Sequence, residues 1–254
     1  MLHLIDSHCH LDFNDFDKDR IAIMQNCARA GIEKIVIPGV TIASWPKQIE
    51  LCSRHPMLSL ALGCHPMFME AHPDDALQQL EQAVKQYQPI AIGEIGLDFY
   101  VAEADVAAQL RLFEAQLDIA VQYSLPVILH VRKAHDQVLK LLRQKQLPGG
   151  IVHAFSGSAQ QAEQYRELHF LLGIGGALTY PRAQRLQRLF SELPLSQIVL
   201  ETDAPDMPLC GFQGQRNSPE NIPLILEKLS QLRGESSDYI AEITTANCRQ
   251  LFNI

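Results

Sequence analysis

The sequence predicts a (β/α)8 barrel, also called a TIM barrel, from three observations. Eight short runs rich in Ile, Val and Leu alternate with longer segments of helical spacing along the 254 residues. The runs are mostly continuous in hydrophobicity, which is typical of parallel strands buried on both faces. Eight strand–helix units account for the whole chain, and its length is close to the roughly 250 residues of such barrels.

The predicted strands are defined by their short apolar cores, and the predicted helices by apolar residues three or four positions apart. In order, the strands are Leu2–Asp6, Lys34–Pro38, Leu58–Leu62, Ile90–Glu94, Val127–His130, Ile151–His153, Phe170–Ile174 and Ile198–Glu201. The helices are Asp19–Ala30, Asp105–Gln122, His135–Gln146, Gln160–Leu168, Pro219–Arg233 and Ser237–Leu251. The last helix is expected to cover the wall or base of the barrel.

No linker rich in Pro, Gly or Ser divides the chain, so we expect one domain over residues 1–254. The alternative is an open, doubly wound sheet. That fold favours a Gly-rich phosphate turn after the first strand, whereas this chain has His8, Cys9 and His10 there.

Composition excludes several classes of protein. Hydrophobic residues make up 47% and charged residues 20% of the chain, as in globular proteins. The formal charge of −8 argues against tight, non-specific binding to duplex DNA or to anionic membranes. We find no signal peptide, no apolar run of membrane-spanning length and no C-x-x-C pair among six cysteines. We therefore expect a cytoplasmic, reduced monomer without an obligate protein partner.

Residues able to bind metal recur at or just after the carboxyl ends of the predicted strands. In a closed barrel these ends meet at one mouth, where the active sites of such barrels lie. Although they are far apart in sequence, we expect seven residues to converge there: His8, His10, His65, Glu94, His130, His153 and Asp203.

The histidines favour metal binding because of their number. In an extended segment, His8 and His10 would share one face and Cys9 would point to the other, so Cys9 is expected to pack. An isolated His-x-His pair is commonly two ordinary polar side chains. His130 or His153 alone could be a buried core histidine, but four more candidate ligands at strand ends accompany the first pair: Glu94, His130, His153 and Asp203.

Two carboxylates complete the candidate set. Glu94 ends an apolar run, where a charge is costly to bury unless it is paired or binds metal, and we assign it a position bridging two cations. Asp203 could instead form a turn near Pro205. Four histidines with two carboxylates can hold two divalent ions, and the donor types suit Zn, Mn, Co or Ni without excluding Mg.

Basic and Gly-rich segments near the mouth suggest phosphate contacts. Arg132 follows His130, and Arg216 lies in the loop after the eighth strand, so both are predicted to contact substrate. The run Gly173–Gly176 follows the seventh strand, where barrels often bind phosphate, but a tight turn explains it equally well. The sequence contains no G-x-S-x-G, Walker A or G-x-G-x-x-G motif.

Seven motifs spread over essentially the whole chain are together highly specific: DSHCHLDF, GCHP, AIGEIGLDFY, LPVILHVRKAH, VHAFSGS, LETDAPDMP and RNSPENI. They resemble the TatD family of metal-dependent hydrolases, in the amidohydrolase-like barrel superfamily, and especially its YjjV-like bacterial branch. The resemblance implies a divalent-metal deoxyribonuclease or a broader phosphodiesterase. It also implies that His65 faces the substrate and that two metals are held by His8, His10 and Asp203, and by His130 and His153, with Glu94 bridging.

Three departures from the family pattern concern the substrate. Val131 stands where relatives usually carry Ser, and Ala154 where many carry Cys. The stretch DMPLCGFQG replaces the more usual loop after the ETDAP motif.

We predict hydrolysis of a phosphoester, with DNA ends or single strands as substrate. Two divalent cations (Zn, Mn or Mg) would be the cofactors, and Glu94 and Asp203 the catalytic residues, with Asp203 orienting and deprotonating water. Arg132 and His65 would hold the phosphate. The alternatives are a hydrolase of another ester or amide, including an aminoacyl-tRNA ester, and a non-catalytic metal-binding protein.

Overall fold

Eight parallel strands form the centre of the protein in a computed structural model, which describes residues 2–100 and 105–254. The strands are hydrogen-bonded in chain order, each to the next along the sequence. They are β1 (Leu4–Asp6), β2 (Ile32–Ile37), β3 (Leu58–Leu62), β4 (Ala91–Asp98), β5 (Val127–Arg132), β6 (Gly150–Val152), β7 (Phe170–Ile174) and β8 (Ile198–Leu200).

The last strand returns to the first. The Ser7 N–H donates to the Leu200 carbonyl at 2.9 Å. The Asp6 carboxylate accepts hydrogen bonds from the Thr202 N–H at 3.0 Å and the Thr202 hydroxyl at 2.5 Å. A parallel sheet in sequential order whose ends meet is a (β/α)8 barrel, so the predicted fold class is confirmed. A doubly wound sheet reverses its strand order at a switch point, and the order β1 to β8 has no reversal.

Nine α-helices accompany the strands in the described ranges: α1 (Arg20–Arg29), α2 (Trp45–Arg54), α3 (Ala76–Tyr87), α4 (Val106–Gln122), α5 (His135–Leu142), α6 (Ala159–Glu167), α7 (Gln184–Glu192), α8 (Ile222–Arg233) and α9 (Ser237–Phe252). The helices predicted from the sequence do not include α2, α3 or α7. The buried side of α2 includes Gln48, whose amide donates to two strand carbonyls, so apolar spacing alone does not identify this helix. No helix of the described chain has the length and hydrophobicity needed to cross a membrane.

The last helix closes the base of the barrel. Cys248 and Phe252 of α9 pack into one apolar cluster with side chains from seven strands, namely Ile5, Val36, Ala61, Ala91, Ile128, Ile151 and Val199. This packing agrees with the expectation that the final helix covers the base. Because α9 fills this end, the carboxyl ends of the strands form the mouth at the other.

Strand β4 differs most from its prediction. We expected it to end at Glu94, but it continues to Asp98 and stays paired with β5. Its pairing register shifts around Glu94, so this residue lies at an irregularity within the strand. Gly96 permits the close pairing beyond that point, because its φ is 146° and a Cβ there would lie 2.0 Å from the His130 carbonyl oxygen. The extension brings a second buried carboxylate, Asp98, to the mouth.

Candidate metal centre

Histidines surround Glu94, and each of its two carboxylate oxygens faces a different pair of histidines. The Glu94 side chain is only 2% exposed. Its Oε2 lies 3.1 Å from His8 Nε2 and 3.6 Å from His10 Nε2. Its Oε1 lies 3.1 Å from His130 Nδ1 and 3.3 Å from His153 Nε2. One carboxylate therefore stands between two pairs of imidazoles.

His8, His10 and Asp203 form the first set of candidate ligands, the β1/β8 group. The Nε2 atoms of the two histidines are 3.3 Å apart. Asp203 Oδ1 lies 3.5 Å from His8 Nε2 and 3.7 Å from His10 Nε2. Cys9, between the histidines, is fully buried beside the Ala204 carbonyl. The two-residue spacing thus aims both imidazoles at Asp203 while the thiol packs on the other side.

His130 and His153 form the second set, the β5/β6 group, and each has a buried carboxylate at its far nitrogen. His130 Nε2 donates to Asp98 Oδ2 at 2.9 Å, which leaves Nδ1 to face Glu94. His153 presents Nε2 to Glu94, and its Nδ1 lies 3.4 Å from Glu201 Oε1. Carboxylates commonly orient metal-binding imidazoles by hydrogen bonding, as Asp98 does with His130. Among the described residues, His153 Nδ1 has no hydrogen-bond partner, so Glu201 is near it without such a bond.

His65 also contacts Glu94, but its protonation distinguishes it from the ligand candidates. Its Nδ1 accepts a hydrogen bond from the Met67 N–H at 3.1 Å, so a neutral ring carries its proton on Nε2. That Nε2 lies 3.1 Å from Glu94 Oε1 and donates to it. Burial lowers the pKa of His65, which favours the neutral ring. His65 therefore presents an N–H donor to the site, as a substrate contact requires.

Burial and neighbouring charges shift the pKa values of the site. Burial opposes the charge of Glu94, but the surrounding imidazoles, with His65 the strongest influence, hold its pKa well below the usual range. Burial raises the pKa of Asp203 to about 6. Burial opposes protonation of His153, yet Glu94 and Asp203 outweigh it and raise its pKa to about 10. In the metal-free chain, protons on imidazoles supply the positive charge that the carboxylates require.

The donor set fits divalent cations. In the part of the chain that the structure describes, potential ligand atoms lie within 4.8 Å of one another in three combinations: His8, His10 and Asp203; His8, Glu94 and His153; and His65, Glu94 and His130. Within residues 2–100 and 105–254, the buried Nδ1 atoms of His8 and His10 have no hydrogen-bond partner. These two rings therefore interact through the Nε2 atoms that face the carboxylates. Imidazole with carboxylate is a donor set suited to Zn, Mn, Co or Ni.

A cavity of about 460 Å³ opens beside these residues. His130, His153 and Asp203 contribute polar atoms to its lining. Much of the remaining lining is apolar, from Met67, Phe155, Ile174, Leu186 and Met207. The volume lies within the range of small-molecule sites, about 300–1,000 Å³. Part of a substrate can therefore enter next to the candidate ligands.

The two arginines expected to contact substrate have different surroundings. Arg132 lines the cavity, and its guanidinium carbon lies 3.8 Å from the ring centre of Tyr100, which attracts the cation without neutralising it. Arg216 instead binds both carboxylate oxygens of Asp19, at 3.0 and 2.6 Å, and lies over Phe16. Among the described residues, Arg216 is not part of the cavity lining. The structure brings Arg132, but not Arg216, to the candidate ligands.

Two carboxylates at the site, Asp98 and Glu201, are missing from the predicted set. Both are buried; Asp98 ends β4 and Glu201 directly follows β8, and both strands are mostly apolar. Their charges are as costly to bury unpaired as that of Glu94, so the same criterion identifies them in the sequence. The Gly-rich run points to one of them, because a Cβ at Gly173 would lie 2.0 Å from Glu201 Oε2. Gly173 thus makes room for a carboxylate, which explains this glycine without a bound phosphate.

Comparisons with known proteins cover nearly the whole chain. A model of the family described as TatD related DNase matches residues 5–253. The chain is 43% identical to the uncharacterized metal-dependent hydrolase YjjV of Escherichia coli K12, over 98% of each sequence. It is 31% identical to the 3'-5' ssDNA/RNA exonuclease TatD of Salmonella typhimurium, over 99% of each sequence.

The structural comparison agrees with the sequence comparison. The crystal structure of Escherichia coli YjjV, described as a TatD homolog, matches with a TM-score of 0.95 and 43% identity. The match covers 99% of this chain and 98% of the other. The chain therefore belongs to the TatD-related DNase family of metal-dependent hydrolases.

Proposed function

We propose that the chain hydrolyses phosphodiester bonds at the ends of single-stranded DNA, using two divalent cations bound on the two sides of Glu94. The observation that carries the proposal is the position of Glu94, whose two oxygens face separate pairs of imidazoles. The relative from Salmonella typhimurium is named as a 3'-5' exonuclease for ssDNA and RNA, which supports a nucleic-acid phosphodiester as the bond.

In this proposal the β1/β8 group and the β5/β6 group would each hold one cation, and Glu94 would be available to both groups. Zn, Mn and Mg are the candidate ions. Divalent cations at such a site acidify water and offset the negative charge of a phosphate. The protein's own contribution is to orient the reacting groups and to accept or donate protons around them.

Asp203 is the carboxylate placed to accept a proton from the attacking water. It lines the cavity and is 15% exposed, whereas Glu94 is 2% exposed and enclosed by imidazoles. The Nε2–H of His65 can donate to a phosphate oxygen, and Arg132 can add a charged contact at the cavity wall. Preorganised donors of this kind stabilise the charge that develops in phosphoryl transfer.

Single strands suit this chain better than a duplex. Duplex binding gains much of its affinity from neutralising many phosphates, whereas this chain carries a formal charge of −8. Near the candidate site, the cations at the ring of Tyr100 are Arg132 and Lys133, 3.8 and 4.6 Å from its centre. Two cations beside one aromatic ring can hold a short, flexible strand close to the metal ligands.

The proposal is tested with metal-loaded protein and matched substrates. The substrates are a linear single-stranded DNA, the same DNA closed into a circle, its duplex and an RNA of the same sequence. The linear and circular DNA distinguish cleavage at an end from cleavage within the strand. The duplex and the RNA show which type of strand is cleaved. We expect degradation of the linear single strand, an intact circle, and degradation about 10²–10⁴-fold slower with Asp203→Asn.

An aryl ester in the same assay examines the alternatives. Cleavage of the ester without cleavage of any nucleic acid would replace the proposal with a carboxylic-ester hydrolase. Stoichiometric metal binding without any hydrolysis would indicate a non-catalytic metal-binding protein.

A further inference from the structure

We propose that Asp98 is a positioning residue, whose single carboxylate sets the tautomer of His130 and anchors Tyr100 at the rim of the cavity. The inference rests on the proposed function only for the metal-binding role of His130. It concerns a residue that lies behind a ligand and outside the cavity lining.

The carboxylate of Asp98 is held between two donors. It is fully buried. Its Oδ2 accepts a hydrogen bond from His130 Nε2 at 2.9 Å, and its Oδ1 accepts one from the Tyr100 N–H at 2.8 Å. The side chain of Gln109 also fixes the backbone, accepting from the Asp98 N–H at 2.9 Å and donating to its carbonyl at 3.1 Å. Backbone and carboxylate are therefore both restrained.

This arrangement determines which nitrogen of His130 can bind a cation. A neutral imidazole has one N–H and one lone pair. Because Nε2 donates to Asp98, the lone pair of the neutral ring lies on Nδ1, 3.1 Å from Glu94 Oε1. A lone pair and a carboxylate oxygen repel each other at that distance. A cation between them removes the conflict, so Asp98 prepares Nδ1 as a ligand atom.

A carboxylate is suited to this position because both of its oxygens accept hydrogen bonds. An amide offers one acceptor and one donor group. In Asp98→Asn, the amide NH2 must face either His130 or the Tyr100 N–H. Facing His130, it moves the ring proton to Nδ1 and removes the lone pair from the metal side. If the NH2 group faces Tyr100, the hydrogen bond from the Tyr100 N–H is lost.

The hydrogen bond between the Tyr100 N–H and Asp98 connects His130 to the edge of the cavity where Arg132 lies. Tyr100 follows β4 by two residues, and its ring lies beside Arg132, which lines the cavity. The buried carboxylate of Asp98 therefore fixes His130 and Tyr100 relative to each other. The ring of Tyr100 in turn supports Arg132. Loss of Asp98 is expected to affect both, whereas Tyr100→Ala keeps the backbone N–H and affects the rim alone.

Two measurements on zinc-loaded protein test the proposal without any hydrolytic assay. Long-range ¹H–¹⁵N NMR of histidine-labelled protein reports the protonated ring nitrogen, and His130→Asn identifies the resonances of His130. We expect the proton on Nε2 in the unchanged protein. Zinc titration of Asp98→Asn should show one of two sites weakened by about 10–100-fold, as is typical when a group supporting a ligand is removed.

Control variants and contrary results complete the test. Asp136→Asn, at an exposed position in α5, and Tyr100→Ala should bind zinc as the unchanged protein does. A proton on Nδ1 of His130 in the unchanged protein overturns the proposal even if Asp98→Asn does not fold. Equal zinc affinity of a folded Asp98→Asn also overturns it. If zinc binding depends on Asp98 but no phosphodiester is cleaved, the proposed function fails and this inference stands.

Discussion

The two groups of candidate ligands on either side of Glu94 differ in where their second carboxylate lies. In the β1/β8 group, Asp203 faces the ligand nitrogens directly, at 3.5 and 3.7 Å. In the β5/β6 group, Asp98 and Glu201 lie behind the imidazoles, at their far nitrogens. The carboxylate of the β1/β8 group thus reaches the cavity, whereas the carboxylates behind the β5/β6 group do not.

The two positions predict two roles for the carboxylates, proton transfer at the cavity and orientation of an imidazole behind it. A carboxylate that lines the cavity can exchange a proton with water, whereas a buried carboxylate behind a ring fixes the tautomer and increases the basicity of the ligand. We therefore expect changes in the β1/β8 group to affect turnover first. Changes behind the β5/β6 group should affect metal affinity first.

Glu94→Gln should have the largest effect, because Glu94 is the one carboxylate that both groups share. An amide keeps the shape but loses the charge between the two proposed cations. We expect the bound metal to fall from about two ions per chain to about one or fewer, and turnover to be lost. Elemental analysis after saturation and desalting measures the first effect. Exposed Glu167→Gln is the control, and two retained ions would contradict the shared role.

Asp203→Asn tests whether the carboxylate of the β1/β8 group takes part in turnover. Asn caps a turn about as well as Asp, so folding should be nearly unchanged. Loss of a proton acceptor should lower turnover by about 10²–10⁴-fold. Turnover at saturating metal is measured beside thermal unfolding, with Asp238→Asn, at an exposed position in α9, as control. Turnover close to normal would remove Asp203 from the catalytic residues.

The metal-free chain should lose stability as pH rises above neutrality. The pKa of His153 in the folded chain is about 10, above the ordinary value of about 6.5. Its contribution to folding is therefore complete below about pH 6.5 and is lost as pH rises through about 10. Bound zinc replaces the proton, so zinc-loaded protein should not follow this trend. Thermal unfolding across this range, with chelator or with zinc, compares the two forms, and parallel curves would contradict the account.

The two arginines should give the smallest effect. Arg132→Ala removes a charged contact worth about 1.5 kcal/mol, so we expect KM for single-stranded DNA to rise about tenfold. Arg216→Ala should leave KM unchanged, because the guanidinium is already paired with Asp19. Steady-state kinetics on one oligonucleotide compare them. Equal effects would show that Arg216 also reaches the substrate.

The barrel was predictable because each strand carries its own signal. Continuous apolar runs such as Leu58–Leu62 and Phe170–Ile174 agree with β3 and β7 at both ends. Proximity of the candidate ligands follows from the fold, since parallel strands in a barrel end at one mouth. The structure brings together all six residues that sequence reasoning proposed as ligands.

The features that sequence reasoning missed depend on contacts between distant segments. The continuation of β4 to Asp98 depends on pairing with β5. The pairing of Arg216 with Asp19 joins residues 197 positions apart. None of these contacts leaves a periodic pattern in the sequence.

Crystals grown with Mn²⁺ test the central claim most directly, because anomalous scattering locates the ions without any assumption about substrate. We expect two peaks about 3.5–4 Å apart, one beside His8, His10 and Asp203, the other beside His130 and His153. The carboxylate of Glu94 should lie between them. A single peak, or peaks that do not contact Glu94, would contradict the two-cation site.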